Sequence, residues 1–177
     1  MPALEDDGAA RHLVAGLALP DIALPSTQGV SISLARAVGL NVFYVYPWTG
    51  RPGLPDPPNW DHIPGAHGST PQAAGFRDLH EEFRADGVGV FGISGQDTAY
   101  QQEFSDRCNL PFKLLSDATG ALRSALSLPT FETGGVSYLK RLTLIARDGK
   151  LVRCIYPVND PAGHAADVLR ASKDLGA

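Results

Sequence analysis

Between Asn41 and Gln72 the chain passes from an apolar, β-branched stretch through a proline-rich segment to Gly68-Ser69-Thr70-Pro71-Gln72, where a helical pattern opens. Side chains at that junction are the ones best placed to do chemistry. A group at position 69 would lie beyond the carboxyl end of a central strand and in the first turn of a helix. Free backbone N–H groups and the positive end of the helix dipole favour an anion there. The same place would depress a cysteine's pKa or hold an oxyanion. The residue present is Ser69, and by type and spacing alone it reads as a helix cap. A serine hydrolase is excluded, because no Gly-x-Ser-x-Gly pattern surrounds Ser69 and no triad is legible. His62 and His67 with Asp56 or Asp61 could offer metal ligands, but spacing within so many prolines specifies no site, and no metal is assigned. His67 could also act as a base or contact a ligand, against its commoner role as a solvated loop histidine. Cys108 ends a helical stretch and Cys154 falls within a strand; both read as small core residues.

The elements that position this junction follow from hydrophobic period and turn chemistry. Gly16 to Pro25 reads as extended chain, Val30 to Leu34 as a strand and Ala35 to Val38 as a short helix. Asn41 to Tyr46 (NVFYVY) lacks alternation, which suits a central strand covered on both faces. The prolines between Pro47 and Pro64 make a long stiff loop. Ser69 to Asp86 has helical spacing, with Pro71 in its first turn and Gly87 as its stop. Val88 to Ser94 reads as a second buried strand, Thr98 to Cys108 as a helix capped by Asp97, and Leu110 to Asp117 as short extended chain. Asp117 to Ser127 is a brief helix. Arg141 to Ala146 and Leu151 to Tyr156 are strands joined by an Asp-Gly turn, and Ala162 to Leu175 is a closing helix. Helices alternating with strands, then a hairpin, imply an α/β sandwich around a mixed sheet.

With 177 residues, 44% hydrophobic and 19% charged, the composition is that of one soluble globular domain, 14–177, behind a tail at 1–13. A net charge of -4 offers no basic surface for nucleic acid. The two cysteines exclude a disulfide scaffold and a Cys-based zinc cluster. Apolar runs are too short to span a bilayer and the acidic start is not a secretory signal, so the expected location is cytoplasmic.

Six segments, in order, resemble the peroxiredoxins of the peroxiredoxin Q (bacterioferritin comigratory protein) type. They are Gly16-Leu-Ala-Leu-Pro-Asp with Leu24-Pro25, Val42-Phe-Tyr-Val-Tyr-Pro47, Gly68-Ser-Thr-Pro-Gln-Ala-Ala-Gly-Phe-Arg-Asp78, Val90-Phe-Gly-Ile-Ser94, Asn109-Leu-Pro-Phe-Lys-Leu-Leu-Ser-Asp117, and Arg141-Leu-Thr-Leu-Ile with Arg147-Asp-Gly-Lys150. The resemblance implies a thioredoxin-like fold and a thiol peroxidase acting on hydrogen peroxide or organic hydroperoxides. Thioredoxin or another thiol would be the reductant, no cofactor is needed, and the chain would be a monomer or homodimer. The family's peroxidatic cysteine falls on Ser69 and its resolving cysteine on Ala74. Ser69 is then either an engineered isostere or a natural loss, and in both cases the chain as written lacks the thiolate that attacks a peroxide. Arg141, on a central strand, matches the arginine that holds thiolate and peroxide. Thr49 is preferred over Thr70 for the family's threonine, although an insertion at 48–65 separates it from Ser69. Gln72 stands where many relatives have a glutamate and could bond Arg141. Trp48, Trp60 and the prolines could form a lid over the pocket or an oligomer contact, against the plainer alternative of a self-packed Ω-type loop. The alternative function is a redox-silent protein binding a small anion or a partner.

Overall fold

The structure, a computed structural model, describes residues 3–176. Its centre is a five-stranded sheet. The strands are β1 Ala23–Leu24, β2 Ile32–Ser33, β3 Leu40–Val45, β4 Gly89–Ser94, β5 Lys113–Ser116, β6 Thr130–Thr133, β7 Val136–Leu139, β8 Leu142–Arg147 and β9 Lys150–Ile155. The sheet order is β5-β4-β3-β8-β9, with β1–β2 and β6–β7 as separate two-stranded ribbons. β3 pairs parallel with β4 and antiparallel with β8, so the sheet is mixed, as the alternation of elements requires.

Every residue of β3 is buried, which explains its unbroken apolar run. Val42, Tyr44 and the following Tyr46 face one core, with Phe76, Phe83, Phe104 and Val168. Phe43 and Val45 face the other, with Leu13, Leu24, Leu122 and Leu142. The helices supplying these side chains are α1 Ser69–Asp78, α2 His80–Ala85, α3 Thr98–Cys108, α4 Ala121–Leu126 and α5 His164–Asp174. None is long and apolar enough to cross a membrane.

Several expectations are corrected. The helix over 69–86 is two helices, broken at Leu79, where ψ rises to 5°. The Phe76 and Phe83 rings lie 5.8 Å apart in one core. The helix at Ala35 to Val38 is a single 3-10 turn over Leu34–Arg36, and the one from Asp117 begins at Ala121. There the Asp117 carboxylate accepts from the N–H groups of Leu122 and Arg123. The β6–β7 hairpin, unforeseen, turns at Gly134-Gly135, both with positive φ. The expected tail covers residues 1–13. Residues 1 and 2 lie outside the described ones, and the rest lies against the body. Ala10 and Leu13 are buried, and Asp7 accepts from Lys140 Nζ at 2.9 Å and Tyr156 Oη at 2.8 Å.

Candidate active site

The site is built where β3, α1 and the residue preceding β8 meet. The Tyr44 and Phe76 rings stack at 4.4 Å, pinning α1 across β3. Gly68 sets the helix entrance in a left-handed conformation (φ 112°), and a Cβ there would meet Pro161 Cγ at 2.7 Å. Ser69 is therefore the first residue of α1 rather than its cap; the cap position belongs to Gly68. Ser69 is buried, 6% exposed, yet its side chain lines an open cleft of about 330 Å³.

Arg141 stands one residue ahead of β8, not on it: the first ladder pair is Val45 with Leu142. Arg141 is 4% exposed, and its guanidinium donates from both Nη1 and Nη2 to Ser69 Oγ, each at 3.2 Å. Nη1 also donates to Gln72 Oε1 at 2.6 Å, and Nη2 to the carbonyls of Gly65, Ala66 and His67 at 3.2–3.3 Å. Its Nε and the Gln72 Nε2 are buried without a partner among the described residues. Burial pushes the guanidinium down to about 10, so it remains charged at neutral pH.

Thr49 lines the same cleft and is buried, but its hydroxyl and N–H both donate to Gln96 Oε1 at 3.2 Å rather than reaching Ser69. Gln96 in turn donates from Nε2 to the Thr49 carbonyl at 3.0 Å. Thr70 is exposed and also lines the cleft. Ala74 is half-buried on α1, away from the cleft lining.

The 48–65 insertion is packed down. Trp60 is buried against Trp48, Phe131 and Tyr138 at ring distances of 5.2–5.6 Å, and Thr133 Oγ1 donates to the Pro58 carbonyl. Both tryptophans line the cleft as a wall. Three of the four side chains weighed as metal ligands converge: Asp56, Asp61 and His67 bring donor atoms within 4.8 Å, all on exposed residues. A hydrogen bond of 2.5 Å from His67 Nε2 to Asp61 Oδ1 accounts for two of them. His62 is not among them.

Three lining or supporting residues escaped the sequence reading. Gln96 follows β4 at the carboxyl edge of the sheet, a placement that could have flagged it. Arg51 and Arg107 also line the cleft; both bond Glu103, and Arg107 donates to the Gly50 carbonyl at 2.9 Å. Arg107 with Glu103 reads in sequence as an ordinary i,i+4 surface pair. The two cysteines are half-buried away from the cleft, and burial raises both thiols, Cys154 to about 11.

Residues 14–171 match the redoxin family model. The chain belongs to the redoxin family. A chloroplastic peroxiredoxin Q of Oryza sativa subsp. japonica is 32% identical over 162 residues, which is 90% of this chain and 67% of the rice protein. The bacterioferritin comigratory protein of Xanthomonas campestris, described for its alkyl peroxide reduction activity, superposes with a TM-score of 0.73 at 29% identity, covering 91% of this chain and 98% of its own. Peroxidoxin BcpB of Mycobacterium tuberculosis shares the fold, with a TM-score of 0.74 at 24% identity, over 93% of this chain and 99% of its own. The fold is thus thioredoxin-like, and the chain's relatives of the peroxiredoxin Q and bcp kind make it one of the thiol-dependent peroxidases.

Proposed function

We propose that the cleft is a peroxiredoxin site whose thiol position is occupied by Ser69. The native chemistry would be reduction of hydrogen peroxide or an organic hydroperoxide by a cysteine at that position. A thiolate there attacks one peroxide oxygen, the O–O bond breaks, and the sulfur becomes a sulfenic acid. The departing hydroxide or alkoxide takes a proton from water. Arg141 holds the thiolate before attack and the developing charge during it. An external thiol, such as a thioredoxin, then reduces the sulfenic acid, since Ala74 offers no partner sulfur and burial keeps the Cys108 thiol protonated. Thr49 orients the peroxide from the opposite wall, and Gln96 fixes Thr49. With serine at 69 the hydroxyl has too high a pKa and too little affinity for the O–O bond to replace the thiolate, so the chain as written does not turn over.

One observation carries this reading: both terminal guanidinium nitrogens of a buried arginine converge on the Ser69 oxygen. The test is Ser69→Cys. The variant should consume hydrogen peroxide or an alkyl hydroperoxide with a thiol donor, while the parent stays at background. No rate above background in the variant would end the peroxidase reading.

A further inference from the structure

We infer that a second cavity, which shares no wall residue with the Ser69 cleft, binds a small neutral apolar molecule carrying one carbonyl-type acceptor. The inference goes beyond the peroxidase reading and stands without it.

Three stretches far apart in the chain meet here. The tail contributes Leu4, Glu5 and Asp7, and the end of the insertion contributes Ile63, Pro64 and Gly65. Lys140-Arg141 and Tyr156-Pro157 come from the open end of the β8–β9 hairpin. The tail is fastened at two points. Leu4 donates its N–H to Asn159 Oδ1 at 2.5 Å, and its side chain lies against Gly65, where a Cβ would meet Leu4 Cδ1 at 3.2 Å. Asp7 holds the second point through Lys140 and Tyr156. The cavity measures about 270 Å³, below the usual range for drug-sized ligands, so a single-ring compound is the scale that fits.

The wall selects the ligand in three ways. Leu4, Ile63, Pro64, Phe131, Tyr156 and Pro157 make most of it hydrocarbon, so burial of apolar surface supplies affinity. The polar capacity left unspent is a donor's. Asp7 already accepts from Ala9 N–H, Tyr156 Oη and Lys140 Nζ, and the Gly65 carbonyl accepts from Arg141 Nη2. Arg141 lines this cavity at 4% exposure, and its Nε–H has no acceptor among the described residues. A buried donor without a partner is costly, and an incoming acceptor recovers that cost. Charge then decides for a neutral molecule. The ionised side chains of the wall are Lys140 and Arg141 against Glu5 and Asp7, which leaves no net charge. An ion of either sign would lose hydration with no opposite net charge to offset the loss.

Acetophenone tests this, with toluene as the same ring lacking the oxygen. Each would be titrated into the full chain while backbone and arginine side-chain N–H signals are followed by two-dimensional NMR. Acetophenone should saturate a single site, with its largest amide shifts at Leu4, Gly65 and Tyr156, while Thr49 and Thr70 of the cleft stay in place. It should slow hydrogen exchange of the Arg141 Nε–H, and toluene should not. Arg141→Met removes the donor and should move the ratio of the two dissociation constants at least tenfold in toluene's favour. If that variant does not fold, the Nε–H exchange of the parent decides. Ile63→Trp fills the space from a partly buried wall position and should weaken both compounds at least tenfold. The inference is overturned by lack of saturation at tens of millimolar acetophenone, or by shifts centred on the cleft. Nε–H exchange indifferent to acetophenone, a ratio unchanged by R141M, or full binding in I63W would overturn it equally.

Discussion

Ser69→Cys also tests the electrostatics of the site before any peroxide is added. The sulfur would take the place of Oγ, with two guanidinium nitrogens at about the 3.2 Å now seen. A full charge pair at that separation is worth about 5 kcal/mol at an effective dielectric near 20. That corresponds to a downward shift of roughly 4 pKa units. Burial acts against it: a thiolate at a position 6% exposed loses hydration, which returns about 2 units. The net expectation is a thiol titrating at about 6.5, against about 8.5 for a free cysteine. Thiolate absorbance in the ultraviolet and the pH dependence of iodoacetamide alkylation both read this value. Cys108 and Cys154 do not interfere, because burial raises both thiols above their ordinary value. Arg141→Met in the S69C background should lift the titration by more than about 2 units, provided its circular dichroism matches the parent. A thiol that titrates near its ordinary value with Arg141 present, or one indifferent to its removal, would refute the charge argument.

His164 and Trp60 give two further outcomes. His164 is buried, bonded to Thr143 Oγ1 at 2.7 Å, and burial lowers it from 6.5 to about 4. The unfolded chain therefore takes up this proton first. The contribution is complete above pH 6.5 and is lost as pH falls towards 4, by about 3 kcal/mol in all. Denaturant unfolding at neutral pH and near pH 4.5 should show that loss, and His164→Leu should reduce it; an unchanged pH slope in the variant would refute the assignment. Trp60→Ala removes the side chain that joins the insertion to the β6–β7 hairpin and should cost about 3–5 kcal/mol. Unfolding within about 1 kcal/mol of the parent would show that the insertion is not part of the fold's stability.

Local rules reached the elements whose causes are local. The apolar run of β3 announced a strand covered on both faces, Asp97 announced the α3 cap that accepts from the Tyr100 N–H, and Asp148-Gly149 announced a turn whose φ values are both positive. The Gly134-Gly135 turn carries a similar signal between Thr-Phe-Glu-Thr and Val-Ser-Tyr-Leu. The break at Leu79 carried none. The site divides in the same way. Residue type and order singled out Ser69, Arg141 and Thr49, largely through a family pattern. Period and spacing could not say that Arg141 reaches across 72 residues to Ser69, or that Thr49 answers to Gln96. Nor could they show Arg51 and Arg107 lining the same cleft. Those facts depend on which strands lie side by side and how the insertion folds back on the hairpin. Short-range preferences of the chain decide its elements; burial of two opposed core faces decides which distant side chains share a cavity.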